Sequence, residues 1–272
     1  MKKILLLVSL FAVLFASAQP QDSLFVWKAG VLVNKQSIKP ADMDSITFKR
    51  PTSINIAGPN VTDIDGNAYQ SVTNCGLTFT KQNLNVSKYS DGTPIPQVTN
   101  PTQWAFLTTG AWCYHNNDPA NGAVYGKLYN WYAVAGIYDA ASAANPALRK
   151  KLAPAGWHIP TDTEWTQLTD CLGGEAVAGG KMKATGTIQA GTGLWQDPNT
   201  FATNASGFTG LPGGSRTGFG AFYSIGLNGI WWSSSESGSP SAWTRTLLYY
   251  DGHANRNSSI KYYGYSVRCL RD

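Results

Sequence analysis

Apolar positions along this chain come in short runs broken by Gly, Asn, Asp and Pro, a pattern of brief strands and turns with few long helices. "SLFVWKAGVLVN" (23–34) holds two apolar runs around Ala29-Gly30 and predicts a hairpin. "DSITF" (44–48) predicts a third short strand, and Pro51 in "KRPTS" ends it and opens a linker. In "VTDIDGNAYQSV", Asp65-Gly66 between alternating runs predicts a second hairpin, and Asp91-Gly92 predicts another turn. Asn100 and Pro101 are placed to start a short helix over "NPTQWAFL". "YGKLYNWYAV" (125–134) fits strand and helix alike, because a short apolar run has no decisive period. "AASAANPALRKKLAP" reads as a surface excursion, and "EAVAGGKMKATG" as a second short helix. From "SGFTGLPGGSR" onward, "GIWWSSSE", "AWTRTLLYY" and "YGYSVRCLRD" predict antiparallel strands joined by long loops.

One segment looks chemical. "GWHIPTDTEWTQL" (156–168) brings His158, Asp162 and Glu164 within seven positions. Thr161-Asp162-Thr163-Glu164 also has the spacing of a capping box, in which Thr161 accepts from the Glu164 amide and the Glu164 carboxylate reaches back. Pro160 and Trp165 occupy staple positions, and Asp162 complements the helix dipole. Trp165, Leu168 and Leu172 fall on one helical face, and Gly173-Gly174 ends the helix. The acids are thus explained as a helix start, and no second histidine lies at ligand spacing from His158.

The N-terminus changes the setting. Lys2 and Lys3 precede the apolar run Ile4–Phe15, and Ala16-Ser17-Ala18 offers small residues at the cleavage positions, so residues 1–18 read as a secretory signal. The run is too short to span a bilayer, no comparable run follows, and no cysteine follows the small residues to carry a lipid. Cleavage lowers the formal charge from +5 to +3, and Arg149-Lys150-Lys151 is the only basic cluster, which argues against nucleic acid as a partner. Extracellular space, cell surface and periplasm are all compatible with such export. Four cysteines in an exported chain predict up to two disulfides among Cys75, Cys113, Cys171 and Cys269, with three pairings open. No C-x-x-C occurs, which argues against zinc.

Candidate chemistry is sparse. Asp63, Asp65 and Asn67 alternate as calcium ligands do, but the closing glutamate of an EF-hand loop is missing and the turn reading is preferred. No cofactor is called for. His115, His158 and His253 name no triad, G-x-S-x-G is absent, and Glu236 is a lone acid. The ten tryptophans and thirteen tyrosines suggest wet aromatic contacts. Candidate ligand residues are therefore Trp231, Trp232, Trp243, Tyr249 and Tyr250, with Arg216 and Glu236 as polar partners.

The segments "DIDGNAYQSV", "QNLNVSKYSDGTPIP", "YGKLYNWYAV", "PAGWHIPTDTEWTQLTDCLGG", "AGGKMKATG", "ATNASGFTGLPGGSR", "WWSSSE" and "GYSVRCLRD" give the chain a specific resemblance, from about Val61 to Asp272, to the Fibrobacter succinogenes major paralogous domain. That resemblance implies a bacterial exported protein and carries no biochemical role with it. More distantly, "GWHIPTDTEW", "LPGGSR" and "GYSVRC" resemble signatures of formylglycine-generating sulfatase-activating enzymes, which implies a C-type-lectin-like fold. Two departures matter. Ala153 stands where relatives often carry a cysteine, and the segment before the final "GYSVR" lacks the paired redox cysteines of those enzymes; Cys269 lies beyond it.

The expectation is an α+β, C-type-lectin-like or sulfatase-modifying-factor-like domain over 57–272, loop-rich with short antiparallel strands and a few helices. A small β unit and linker over 19–56 precede it. Its expected role is non-catalytic adhesion to a glycan or surface protein, with an oxidoreductase related to the formylglycine generators, or a structural appendage subunit, as alternatives.

Overall fold

The computed structural model describes the backbone of residues 22–28 and 31–38 and all of residues 54–272. The chain divides between Lys49 and Arg50 into two units. In the first, β1 (Asp22–Lys28) and β2 (Val31–Ile38) form the expected antiparallel hairpin, from Asp22 opposite Ile38 to Lys28 opposite Val31. The signal segment 1–18 and the strand expected at 44–48 lie outside the described residues.

The second unit is α+β, with short strands, short helices and much loop. It opens with β3 (Ile56–Ala57), then the hairpin β4 (Val61–Thr62) and β5 (Ala68–Tyr69), and the hairpin β6 (Ser71–Asn74) and β7 (Leu77–Thr80). Gly66, with φ +87°, sits in the first turn, where its amide donates to the Asp63 carbonyl. Helix α1 (Pro101–Ala105) is capped by the Asn100 side chain, which accepts from the Gln103 amide. After β8 (Trp112–Cys113) come α2 (Pro119–Tyr125), β9 (Leu128–Tyr129) and α3 (Trp131–Val134). The ambiguous "YGKLYNWYAV" is therefore strand and helix in turn, switched at Asn130, whose side chain caps α3. Helix α4 (Ala140–Ala144) is mostly exposed, as a surface excursion should be.

Next come β10 (Trp157–His158), α5 (Asp162–Cys171) and α6 (Glu175–Met182). The rest is β11 (Gly213–Arg216), β12 (Phe222–Ile225), β13 (Asn228–Gly238), β14 (Ser241–Leu248), β15 (Asn255–Ile260) and β16 (Leu270–Arg271). Two sheets organise the unit: five strands in the order β10-β16-β7-β6-β3, and three in the order β13-β14-β15. Less of the C-terminal third is strand than its pattern predicts. "YGYSVRCLRD" pairs through isolated bridges, Tyr265 with Tyr129 and Ser266 with Trp231, until β16.

The three-stranded sheet has a core on each face. Because consecutive strand residues point to opposite faces, Trp231 enters a cluster with Phe79, Trp165, Leu168, Leu172 and Phe208, while Trp232 enters one with Trp112, Tyr129, Trp131 and Tyr265. Each indole finds a partner inside: Trp231 Nε1 donates to Asn83 Oδ1 at 2.8 Å and Trp232 Nε1 to the Tyr129 carbonyl at 2.8 Å. That removes the usual objection to burying tryptophan. One disulfide, Cys75–Cys171, ties the β6–β7 turn to the last residue of α5. Cys113 and Cys269 are free and buried in separate clusters, so a second disulfide does not form.

Candidate functional site: an amide-lined cleft

The start of α5 settles what the acids around it do. Thr161 Oγ1 accepts from the Glu164 amide, and Glu164 Oε2 accepts from the Thr161 amide at 2.8 Å, which is the expected box. His158 adds a part the sequence did not show. Its Nε2 lies 3.1 Å from Glu164 Oε1, and its Nδ1 lies 2.7 Å from Asp272 Oδ1. The imidazole thus links the helix cap to the end of the chain, where β10 pairs with β16. The Glu164 and Asp272 carboxylates raise the His158 pKa against the effect of burial. Burial opposes the ionised form of Glu164, but bonds from His158 and Thr161 outweigh it and hold its pKa down to about 2. Asp162 is equally committed. Its Oδ1 accepts from buried Arg245 at 2.8 Å and its Oδ2 from Arg256 at 2.8 Å. The hollow beside His158 is small, about 250 Å³, and the imidazole is partly exposed. The Glu164 and Asp162 carboxylates are thus held by protein partners on both oxygens.

The aromatic candidates mostly belong to the core. Trp231, Trp232 and Arg216 are each 0 % exposed, which corrects the expectation that they meet a ligand. Their fate has a common cause: each polar group is satisfied inside. Arg216 donates to the carbonyls of Gly220, Val98 and Thr99, and its guanidinium stacks 4.4 Å from the Trp104 ring. Trp243 is half-buried under Arg256, whose guanidinium lies 3.3 Å from the ring centroid. Tyr249 and Tyr250 are half-buried and exposed, their rings 5.3 Å apart, past the far end of β14. Five strand steps, about 17 Å, separate Trp243 from Leu248. Glu236 is exposed and pairs with Lys261 at 3.1 Å. These residues do not converge on one site.

The calcium alternative fares similarly. Asp63 Oδ1 accepts from the amides of Asp65 and Asn67, and its Oδ2 from Tyr69 Oη and Asn67 Nδ2. Asp65 Oδ2 accepts from Ser87, and its Oδ1 meets Lys88 at 3.2 Å. The triplet is a protein-satisfied turn, as the hairpin reading has it. Among the described residues no group of three or more His, Cys, Asp or Glu is placed to hold a metal ion.

A different place is open. Between the β4–β5 hairpin, the segment after β7 and helix α2 lies a cleft of about 490 Å³. Its walls include Asn67, Gln70, Lys81, Gln82, Asn83 and Asn85, with Val124 and Leu211 supplying apolar surface. No aspartate or glutamate lines it. The carboxamides are held in defined orientations. Gln82 Oε1 accepts from the Gln70 amide at 2.9 Å, and Asn85 Oδ1 accepts from Lys127 Nζ at 3.1 Å. Asn83 is fully engaged: its Oδ1 accepts from Trp231 Nε1 and Arg268 Nε, and its Nδ2 donates to Tyr125 and Ser266. It anchors the wall to the core.

A sequence profile of the Fibrobacter succinogenes major domain matches residues 72–271. The chain belongs to that family. Neither a curated protein nor a solved structure matches it. The family's span covers the cleft residues from Lys81 to Leu211, while Asn67 and Gln70 precede it. Of the cleft residues only Asn67 was singled out from sequence, and as a calcium ligand. The available signal is the amide-rich, acid-free run Gln82-Asn83-Leu84-Asn85, one residue beyond the end of β7.

Proposed function

We propose that this Fibrobacter succinogenes major domain protein is an exported, non-catalytic module that binds a glycan in the cleft between the β4–β5 hairpin and α2. The observation that carries the proposal is the cleft's lining: carboxamides, one lysine and apolar patches, with no acid. Carboxamides offer a donor and an acceptor side by side, the complement of sugar hydroxyls. Glycoside hydrolysis needs two acids within reach of one bond, and the cleft has none to offer. The disulfide fits an exported chain. A C-type-lectin-like architecture is part of the same proposal, supported by the short antiparallel strands, few helices and long loops. The formylglycine-type alternative finds less support, because burial raises the thiol pKa of Cys113 to about 12 and that of Cys269 too, and neither reaches the surface.

A glycan array probed with the signal-free protein, and with its Gln82→Ala and Asn85→Ala variants, tests this. Retention of one glycan class by the parent, weakened at least several-fold by either variant, is expected. Absence of binding to every glycan, or oxidation of a cysteine peptide that is abolished by Cys269→Ser, would overturn it.

A further inference from the structure

Resting on that reading, the cleft's hydrogen-bond polarity narrows the ligand class. A free carboxamide is neutral in preference, because its oxygen accepts as readily as its nitrogen donates. Two of the amides here lean toward donation. Gln82 Oε1 already accepts from the Gln70 backbone amide and Asn85 Oδ1 from Lys127 Nζ, which takes one of the two acceptor sites of each oxygen. Their nitrogens, Nε2 and Nδ2, make no protein hydrogen bond among the described residues, so both present donors. Lys81, on the same wall, adds three more N–H groups and has no carboxylate within ion-pair distance among the described residues. Among the lining carboxamides, the side-chain oxygens of Gln70 and Asn67 accept no protein hydrogen bond among the described residues, and no carboxylate lines the cleft.

We propose that the cleft selects anionic glycans: a sugar carrying a carboxylate or sulfate seats that group against Lys81 and the amide nitrogens of Gln82 and Asn85, with ring faces on Val124 and Leu211. A two- or three-oxygen anion accepts from several donors at once, and bonds to a charged group are roughly twice as strong as neutral ones. A neutral hydroxyl can accept from the same donors, but its bonds lack the added strength that an anion gains opposite the lysine.

The test measures binding of four soluble probes by calorimetry at low and moderate salt: a polyuronate, its methyl ester, a sulfated dextran and unmodified dextran. The polyuronate is expected to bind at least tenfold more tightly than its ester, to weaken as salt rises, and to lose about tenfold in Lys81→Gln while Lys81→Arg retains most of it. Gln82→Glu, which replaces a donor with an acceptor and a like charge, should lose more than Lys81→Gln. Preference for the polyuronate assigns a carboxylate, and preference for the sulfated dextran a sulfate. Equal binding of charged and neutral probes, with Lys81→Gln unchanged, would overturn the anionic selection and leave the glycan reading standing. No binding of any probe or arrayed glycan would overturn both. Unchanged melting temperatures of the three variants separate these outcomes from misfolding.

Discussion

The start of α5 and the cleft beside α2 are both rich in polar side chains, yet they use them in opposite ways. At α5 each acid meets protein partners: Glu164 holds its neighbours Thr161 and His158, and Asp162 holds the distant Arg245 and Arg256. In the cleft, Gln82 and Asn85 satisfy one end internally and leave the other open. A polar cluster whose capacity is used up is architecture, however catalytic its composition looks. One with capacity left over is a place for a guest. The number of charges does not separate the two; the number of unspent donors does.

Removing Asp162 should break this contrast most sharply. Arg245 is 2 % exposed at its side chain and would keep a buried charge without its partner. Asp162→Ala is expected to cost about 3–5 kcal/mol in urea unfolding, whereas a role confined to ligand binding would leave the unfolding midpoint in place. Next in size is the disulfide, which joins residues 96 apart in sequence. Cys171→Ser should cost about 2–5 kcal/mol, read as a lower thermal midpoint that reducing agent lowers no further.

His158 offers a pH test. Its folded pKa is raised, so its contribution is full below the ordinary histidine value and is lost as pH rises through the elevated one. Melting curves of the parent and His158→Gln should therefore differ most in mild acid and converge above neutrality. Glu164 has the opposite sign, its share falling away only as pH drops through its ordinary value toward about 2. A gap that widened with rising pH would defeat the charged-imidazole link. The smallest effect belongs to the cleft: Gln70→Ala should change stability by no more than about 0.5 kcal/mol, and a larger loss would mean the wall is structural after all.

Local signals in the sequence carried the local structure. Asn100-Pro101, Thr161 with Glu164, and the Asp-Gly turns act within a few residues, so their geometry was legible. The helix face of Trp165, Leu168 and Leu172 was legible for the same reason, and all three are buried. What failed needed long-range information. Trp231 and Trp232 read as surface anchors when the aromatic content is counted as excess, but two clusters back to back across one sheet absorb both. Arg216 reads as free, and two of its three carbonyl partners lie over a hundred positions earlier. His158 and Asp272, 114 positions apart, meet only through the β10–β16 pairing. The cleft stayed hidden because Gln and Asn carry no motif; their meaning comes from which end is tied down.

Asn83 gives the cleft a mechanical property. It sits in the cleft wall while gripping Trp231 and Arg268, two side chains that are wholly enclosed. The wall can shift only if tightly packed material behind it shifts as well. On the proposed glycan-binding role, encounter with a sugar should then resemble docking on a rigid template, with little ordering cost at contact and a bound backbone superimposable on the free one.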